Sequence, residues 1–421
     1  MRYGRVVKYR RREADARIAR ALGVMGGVVL EGPRACGKTS TGSHHARSAV
    51  RLDESRSVAE LAELDPTGLL EGETPRLIDE WQLTPSLWNV IRHEVDRRQA
   101  PGQFILSGSA TPTDDVRRHS GAGRFARIRM RPMSIHERGR STAAVSLAAL
   151  GDEPLTGVRS DLTYQDLAVE AVRGGWPALI DASASDAREF TASYLQDLMA
   201  TDLRLATGVR HDPVRVGRLL ASLARTIGTE VTTASLAADV AADGAAVDRD
   251  TVRRYLDALT RVFVVDEQPA WAVSLRSRTR LRQQPKMHLA DPSLACAALR
   301  LTPARLAGDP EYFGQVFESM AVADLRASIE SWGGQVHHYR DSTGLEVDAI
   351  LELDDGGWAA CEVKLGASRV EAAEAALLRL RERVDVGRTG RPRFLAVITG
   401  TEHGYTLPSG VHVLPLGALA P

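Results

Sequence analysis

Lysine is the residue this sequence comes nearest to lacking. Of 54 basic side chains only four, Lys8, Lys38, Lys286 and Lys364, are lysine. Arginine stands almost wherever either cation would serve, so a retained lysine marks a position that wants a compact, point-charge ammonium. Two of the four fall in the motifs described below. Cysteine is nearly as scarce. Cys36, Cys296 and Cys361 lie far apart, which argues against both a disulfide framework and a zinc site. No apolar run is long enough to cross a bilayer. The Arg-rich N-terminus lacks the apolar stretch of a secretory signal, and the expected location is the cytoplasm, with no membrane partner.

Net charge is missing too, because 54 basic residues balance 54 acidic ones. That excludes a global pull toward nucleic acid but not local basic surfaces. Three stretches are locally basic: residues 1–20; residues 117–140, with Arg117, Arg118, Arg124, Arg127, Arg129, Arg131, Arg138 and Arg140; and residues 271–286, with Arg276, Arg278, Arg280, Arg282 and Lys286. Each reads either as a phosphate-binding face or as an ordinary solvated one.

What is present at 421 residues is too much chain for one core. Apolar strands at 28–30, 76–78, 103–106 and 125–130 alternate with helical patterns at 14–23, from Lys38 onward, and at 85–98. This alternation predicts an α/β domain with a parallel sheet over residues 1–150. A nearly all-helical middle domain follows over 160–300. A second α/β domain over 308–421 has a helix at 313–331, strands at 335–339, 346–353 and 358–363, a helix at 368–384 and a last strand at 393–398.

Between the first strand and its helix runs Gly32-Pro33-Arg34-Ala35-Cys36-Gly37-Lys38-Thr39-Ser40, a complete G-x-x-x-x-G-K-[ST] loop. Glycines let the backbone N–H groups turn toward phosphates, and the helix N-terminus adds a favourable dipole. Lys38 is placed to contact the β- and γ-phosphates of ATP, and the Thr39 hydroxyl to coordinate Mg²⁺. The strand Leu77-Ile78 ends in Asp79-Glu80, which puts Asp79 beside the metal and Glu80 where it can orient or deprotonate water. Ser109, after the strand 103–106, is the candidate polar sensor. Arg124 is a candidate to stabilise transition-state charge, in cis or on a neighbouring subunit, which leaves room for an oligomer. Arg124 reads equally well as a plain surface arginine.

Two short helices at 233–240 and 249–259, a turn containing Asp243-Gly244 and a strand at 262–266 follow the order of a winged helix-turn-helix. Arg249, Arg253, Arg254 and the alternating arginines of 274–282 would then meet phosphates of nucleic acid, DNA ahead of RNA. The competing reading is a helical lid that never touches nucleic acid. Further on, Glu362 and Lys364 stand two apart on a strand and so face one side. Asp348 on the adjacent strand and Glu318 on a helix can join them, although Glu318 also reads as a salt-bridging helix residue.

These residues resemble those of a known family. The loop 32–39, Ile78-Asp79-Glu80-Trp81-Gln82, Phe104 to Ser109, Gly123-Arg124, Arg131-Pro-Met-Ser134, Gly174-Gly-Trp-Pro177, Thr251 to Leu256 and Pro285-Lys286-Met-His288 through Asp291 resemble prokaryotic AAA-type ATPases. Those proteins carry a C-terminal domain of unknown function related to restriction-endonuclease folds. Trp81 departs from the aliphatic residue usual there. Lys286, by this resemblance, marks a strand entry of unknown role. The Asp348, Glu362, Lys364 pattern resembles the PD-(D/E)xK nucleases. In that superfamily two carboxylates, here Asp348 and Glu362, bind Mg²⁺, and the lysine helps activate water for phosphodiester hydrolysis. The expected function is therefore an ATPase coupled to a nucleic-acid-binding, Mg²⁺-dependent nuclease-like half. The alternative is an ATP-controlled regulator or toxin-like switch that binds nucleic acid without cutting it.

Overall fold

The computed structural model describes residues 9–109, 121–151, 153–241, 247–272 and 283–421, with only the backbone of Ala59. Lys8, Arg117, Arg118, the Asp243-Gly244 turn and the arginines of 274–282 lie outside the described residues. The chain divides into two compact units, residues 1–131 with 261–263, and residues 132–260 with 264–421.

The first unit is built on five strands: β1 (Gly27–Glu31), β2 (Ser48–Arg51), β3 (Arg76–Asp79), β4 (Phe104–Gly108) and β5 (Phe125–Arg129). Their order is β2-β3-β4-β1-β5, and every neighbouring pair is parallel. Successive side chains on a strand point to opposite faces, which sorts the apolar residues into two cores. Val29, Ile78, Phe104 and Leu106 join Leu87, Trp88, Ile91 and Val95 of the helix Leu87–Arg98. Val28, Leu30, Leu77 and Ile105 join Ile18 of the helix Ala14–Leu22. Both faces are covered, so the inner strands β1, β3 and β4 are apolar nearly throughout, while the edge strands β2 and β5 alternate. Each fully buried Val, Leu or Ile contributes roughly 1.5–3 kcal/mol.

Parallel pairing has a positional consequence. Glu31 registers with Gly108, Arg51 with Asp79, and Asp79 with Ser107, so the C-terminal ends of these strands share one edge. Gly27 and Phe125 register at the opposite edge, four residue steps away. At about 3.3 Å per residue that is roughly 13 Å.

The second unit begins with the short strands β6 (Val145–Ser146), β7 (Val158–Arg159) and β8 (Thr229–Glu230), set among helices that include Thr233–Val240 and Arg249–Arg261. Next come β9 (Val265–Gln268), β10 (Lys286–Leu289) and the 22-residue helix Pro310–Ser331. Then follow β11 (Gln335–Arg340), β12 (Glu346–Glu352), β13 (Trp358–Lys364), β14 (Leu395–Thr399), β15 (His403–Thr406), β16 (His412–Pro415) and β17 (Leu419–Ala420). A mixed sheet runs β11-β12-β13-β14-β16-β15-β7. The helix Val370–Arg383 packs on it through Val370, Ala373, Leu377 and Leu380.

The strand expected to form a DNA-reading wing is a packed element instead. β9 pairs antiparallel with β10, and β10 is buried along its whole length. Gln268 Nε2 donates to the carbonyls of His337 and Asp348 at 3.0 and 2.9 Å. Arg326 of the long helix pairs with Asp266, and Ala270 bridges His338. Asp266 and Gln268 are thus spent on the long helix and on the neighbouring strands β11 and β12.

Candidate nucleotide site and a buried charged cluster

The loop after β1 is drawn tightly over the sheet edge. Ala35 and Gly37 take left-handed conformations, φ 61° and 103°, and Gly37 caps the helix Lys38–His45. A Cβ at Gly32 would collide with the Met130 carbonyl oxygen, so glycine is required there by space. Arg12 braces the loop from beneath, donating to the carbonyls of Cys36 at 2.9 Å and Arg131 at 2.7 Å. Lys38, 6% exposed, donates its Nζ to the carbonyls of Gly32 and Pro33 at 2.9 and 2.8 Å. Arg34, Ala35 and Ser40 face solvent, while Pro33 and Cys36 are buried.

Asp79 closes the same edge. The Thr39 hydroxyl donates to its Oδ1 at 3.1 Å, and the Ser107 hydroxyl donates to the same oxygen. Arg51 Nε stands 4.0 Å from Oδ2. A hydroxyl and a carboxylate side by side are hard oxygen donors of the kind Mg²⁺ takes alongside phosphate oxygens and waters, so these residues fit that ion. Glu80 sits in the left-handed region at φ 54°, ψ 38°, which ends β3. Its carboxylate accepts from Gln82 Nε2 and, at 3.4 Å, from Ser109 Oγ. A Cβ on Gly108 would stand 2.7 Å from Gln82 Oε1, so this glycine leaves room for the arrangement.

Arg124 does not join this site within its own chain. The Gly27 N–H donates to its carbonyl at the start of β1, on the edge opposite the loop. Its guanidinium donates to Asp96 on the helix Leu87–Arg98 at 2.6 Å. The role in cis is therefore corrected. Arg51 and Ser107, which the motif reading passed over, occupy the relevant edge. Their signal was position: each ends or nearly ends a strand parallel to β1.

In the second unit, Glu318, Asp348, Glu362 and Lys364 do come together, and a fifth residue joins them. Lys286 Nζ lies 2.7 Å from Glu318 Oε1 and 3.4 Å from Asp348 Oδ1. Lys364 Nζ lies 2.9 Å from Asp348 Oδ2 and 2.5 Å from Glu362 Oε2. The Val363 N–H also donates to Asp348 Oδ2 at 2.9 Å. Carboxylates and ammoniums thus alternate along a line of five. Burial, and then the Asp348 charge, raises Glu318 to about 7 and Glu362 to about 8. Burial would raise Asp348 as well, but Lys286, Lys364 and the Val363 amide hold it far below the usual carboxylate range. Burial opposes the charge on both lysines, yet their carboxylate partners raise them above the ordinary lysine value.

Lys286 is the residue the sequence analysis left without a role. Its strand is pinned by His288, which bridges Ser319 of the long helix and Gln268 of β9, both at 3.0 Å. The scarcity of lysine was the signal that could have found it. The cluster does not fit the divalent cation expected at Asp348 and Glu362. Among the described residues no three His, Cys, Asp or Glu side chains are gathered to hold a metal, and ammonium groups contact both Asp348 oxygens.

Residues 26–138 match the family model of an AAA domain. Outside it, residues 164–305 and 313–419 each match a domain of unknown function, DUF8612 and DUF4143. Two mycobacterial relatives, the uncharacterized proteins Mb2031c of Mycobacterium bovis and Rv2008c of Mycobacterium tuberculosis, are each 28% identical over 348 residues. The match spans 82% of this chain and 71% of each relative. Among solved structures the chain is similar to the Walker-type ATPase PABY2304 of Pyrococcus abyssi, with a TM-score of 0.44 and 14% identity. That alignment covers 70% of this chain and 97% of the other. The first unit gathers the loop 32–40, Asp79, Glu80 and Ser109 on one sheet edge and leaves Arg124 on the other. No helix among the described residues is long and apolar enough to cross a membrane.

Proposed function

We propose that the AAA domain binds ATP with Mg²⁺ in the loop 32–40 and hydrolyses it. The observation that carries this reading is Lys38, a buried ammonium whose partners in the loop are two neutral carbonyls. Carbonyls bring no opposite charge, so a triphosphate, whose bonds to an ammonium are reinforced by full negative charge, can draw it away from them. Thr39 and Asp79 would hold Mg²⁺, which neutralises phosphate charge when bound. Glu80 then orients the attacking water and accepts its proton, once Gln82 and Ser109 release it. Arg51 and Ser107 set the charge and orientation of Asp79. Steady-state phosphate release with and without Mg²⁺ is the test. Release that ignores both Mg²⁺ and the Glu80→Gln change would sink it.

The second unit we infer to be a binding module that does not cut. Its carboxylates are neutralised by lysines rather than left for a metal. Nucleic acid, DNA ahead of RNA, is the ligand we assign to it. The support is the exposed Arg249, Arg253 and Arg254 on the helix Arg249–Arg261, where phosphate contacts would make binding fall steeply with salt. Binding of a labelled duplex that keeps its full strength in the Arg249→Ala, Arg253→Ala, Arg254→Ala triple variant would refute that assignment.

A further inference from the structure

We propose that Arg12 is a positioning residue of the nucleotide site: by holding the Cys36 carbonyl it aims the Gly37 N–H at the phosphates of ATP. The inference rests on ATP occupying the loop 32–40. It adds a residue that lies outside both that loop and the stretch 26–138 that matches the AAA model.

The Cys36 C=O and the Gly37 N–H belong to one trans peptide group, whose plane points them in opposite directions. Whatever fixes the carbonyl therefore fixes the amide. Arg12 Nη1 donates to the Cys36 carbonyl at 2.9 Å in a buried contact. Cys36 is fully buried and Gly37 only partly, so the carbonyl faces inward and the amide outward. Among the described residues the Gly37 N–H makes no hydrogen bond. It stands at the head of the helix Lys38–His45, where amides lack a partner within the helix. A full positive charge behind the peptide also polarises it, which makes the N–H a stronger donor to an anion.

The guanidinium is itself held in place. Its second arm, Nη2, donates to the Arg131 carbonyl at 2.7 Å, beside the Met130 carbonyl against which Gly32 is packed. One fork of fixed geometry thus spans the loop and the segment that walls it, a task an ammonium can do only as a point charge. Arg12 is 8% exposed, and its own N–H donates to Asp15 Oδ2 at 2.8 Å. Asp15 also accepts from the Tyr9 hydroxyl at 2.7 Å and stands 3.0 Å from His45 Nε2, at the end of the helix that Gly37 caps.

The test follows binding of methylanthraniloyl-labelled ADP to the full chain with Mg²⁺, by fluorescence, with folding checked by circular dichroism. Arg12→Ala should weaken binding by roughly 10- to 100-fold, the scale of one charge-assisted hydrogen bond. The loss in ATP turnover should fall on KM rather than kcat. Arg12→Lys, which keeps the charge without the fork, should recover only part of the affinity. Tyr9→Phe comes from the same arm but has no bond to the loop, and should bind as the parent does. A brace that serves only the fold would lower the melting temperature while the folded chain binds the labelled ADP as tightly as before. That result in Arg12→Ala, or in Arg12→Lys where the Ala variant does not fold, overturns the inference and leaves ATP binding intact. Equal weakening in Tyr9→Phe also overturns it, because the arm rather than the guanidinium would then be responsible. A folded parent chain that binds no labelled ADP overturns both.

Discussion

Two of the four lysines, Lys38 in the first unit and Lys286 in the second, are buried ammoniums held by quite different partners. Lys38 rests on two neutral carbonyls, and Lys286 on two carboxylates. A hydrogen bond from an ammonium to a neutral carbonyl contributes roughly 1.5–3 kcal/mol net. Breaking one partner out of a buried ion pair costs roughly 3–5 kcal/mol. The same side chain is thus easily drawn off in one unit and locked in the other. The contrast teaches that burial alone does not mark a working group; the charge of its partners decides whether it can change them.

The largest expected effect comes from Lys38→Ala. It should lower ATP turnover by about 100-fold or more, and the stability it costs comes from bonds to carbonyls, with no opposite charge left stranded. Near-normal turnover would erase the contrast. Lys286→Met should do the reverse: stability falls by roughly 3–5 kcal/mol, read by denaturant unfolding, while ATP turnover stays unchanged. Stability close to that of the parent chain would mean that the clasp carries no weight.

The contrast was only partly legible in the sequence. The strands at 28–30, 76–78 and 103–106 could be read because runs of Val, Leu and Ile buried on both faces leave an unmistakable pattern. The nucleotide site was legible because its loop is contiguous and its acidic pair ends an apolar strand. Arg124 misled because nearness to a strand does not say which end matters, and it lies at the start of β5 where the phosphate loop follows the end of β1. The five-residue cluster was harder. Lys286 is 32 residues from Glu318 and 62 from Asp348, and no local pattern announces a contact across that distance. Asp266 closes the strand expected to form an exposed ribbon, yet it is buried and partnered, as are the polar Gln268 and His288 beyond it.

A pH series sharpens the comparison further. Glu318 and Glu362 are raised to about 7 and about 8 in the folded chain, through burial and then Asp348, from an ordinary value near 4.5. The folded state therefore binds these protons more tightly than the unfolded one. Their contribution is fully present below about pH 4.5 and is lost as pH rises through 7 to 8. The midpoint of unfolding should fall across that window, and Glu318→Gln should flatten the fall. A slope left unchanged by that substitution would place the titrating groups elsewhere.

Smaller effects are expected around Glu80. Gln82→Ala removes a donor that holds its carboxylate, and basal ATP turnover should rise by about two- to fivefold, the scale of one hydrogen bond. A fall of similar size would show Gln82 assisting the reaction instead. Smallest of all is Arg124→Ala. Its salt bridge to Asp96 is solvent-exposed, so turnover at dilution should change by less than about twofold. A larger loss that grows with protein concentration would place Arg124 at a neighbouring subunit's site.

The most direct measurement is calorimetric titration of the full chain with ATP in the presence of Mg²⁺. Saturable binding of one ATP per chain, absent in Lys38→Ala with its fold intact, is the result expected if the loop over the sheet edge is a triphosphate cradle. Folded parent chain that releases or absorbs no heat with ATP or ADP would contradict it.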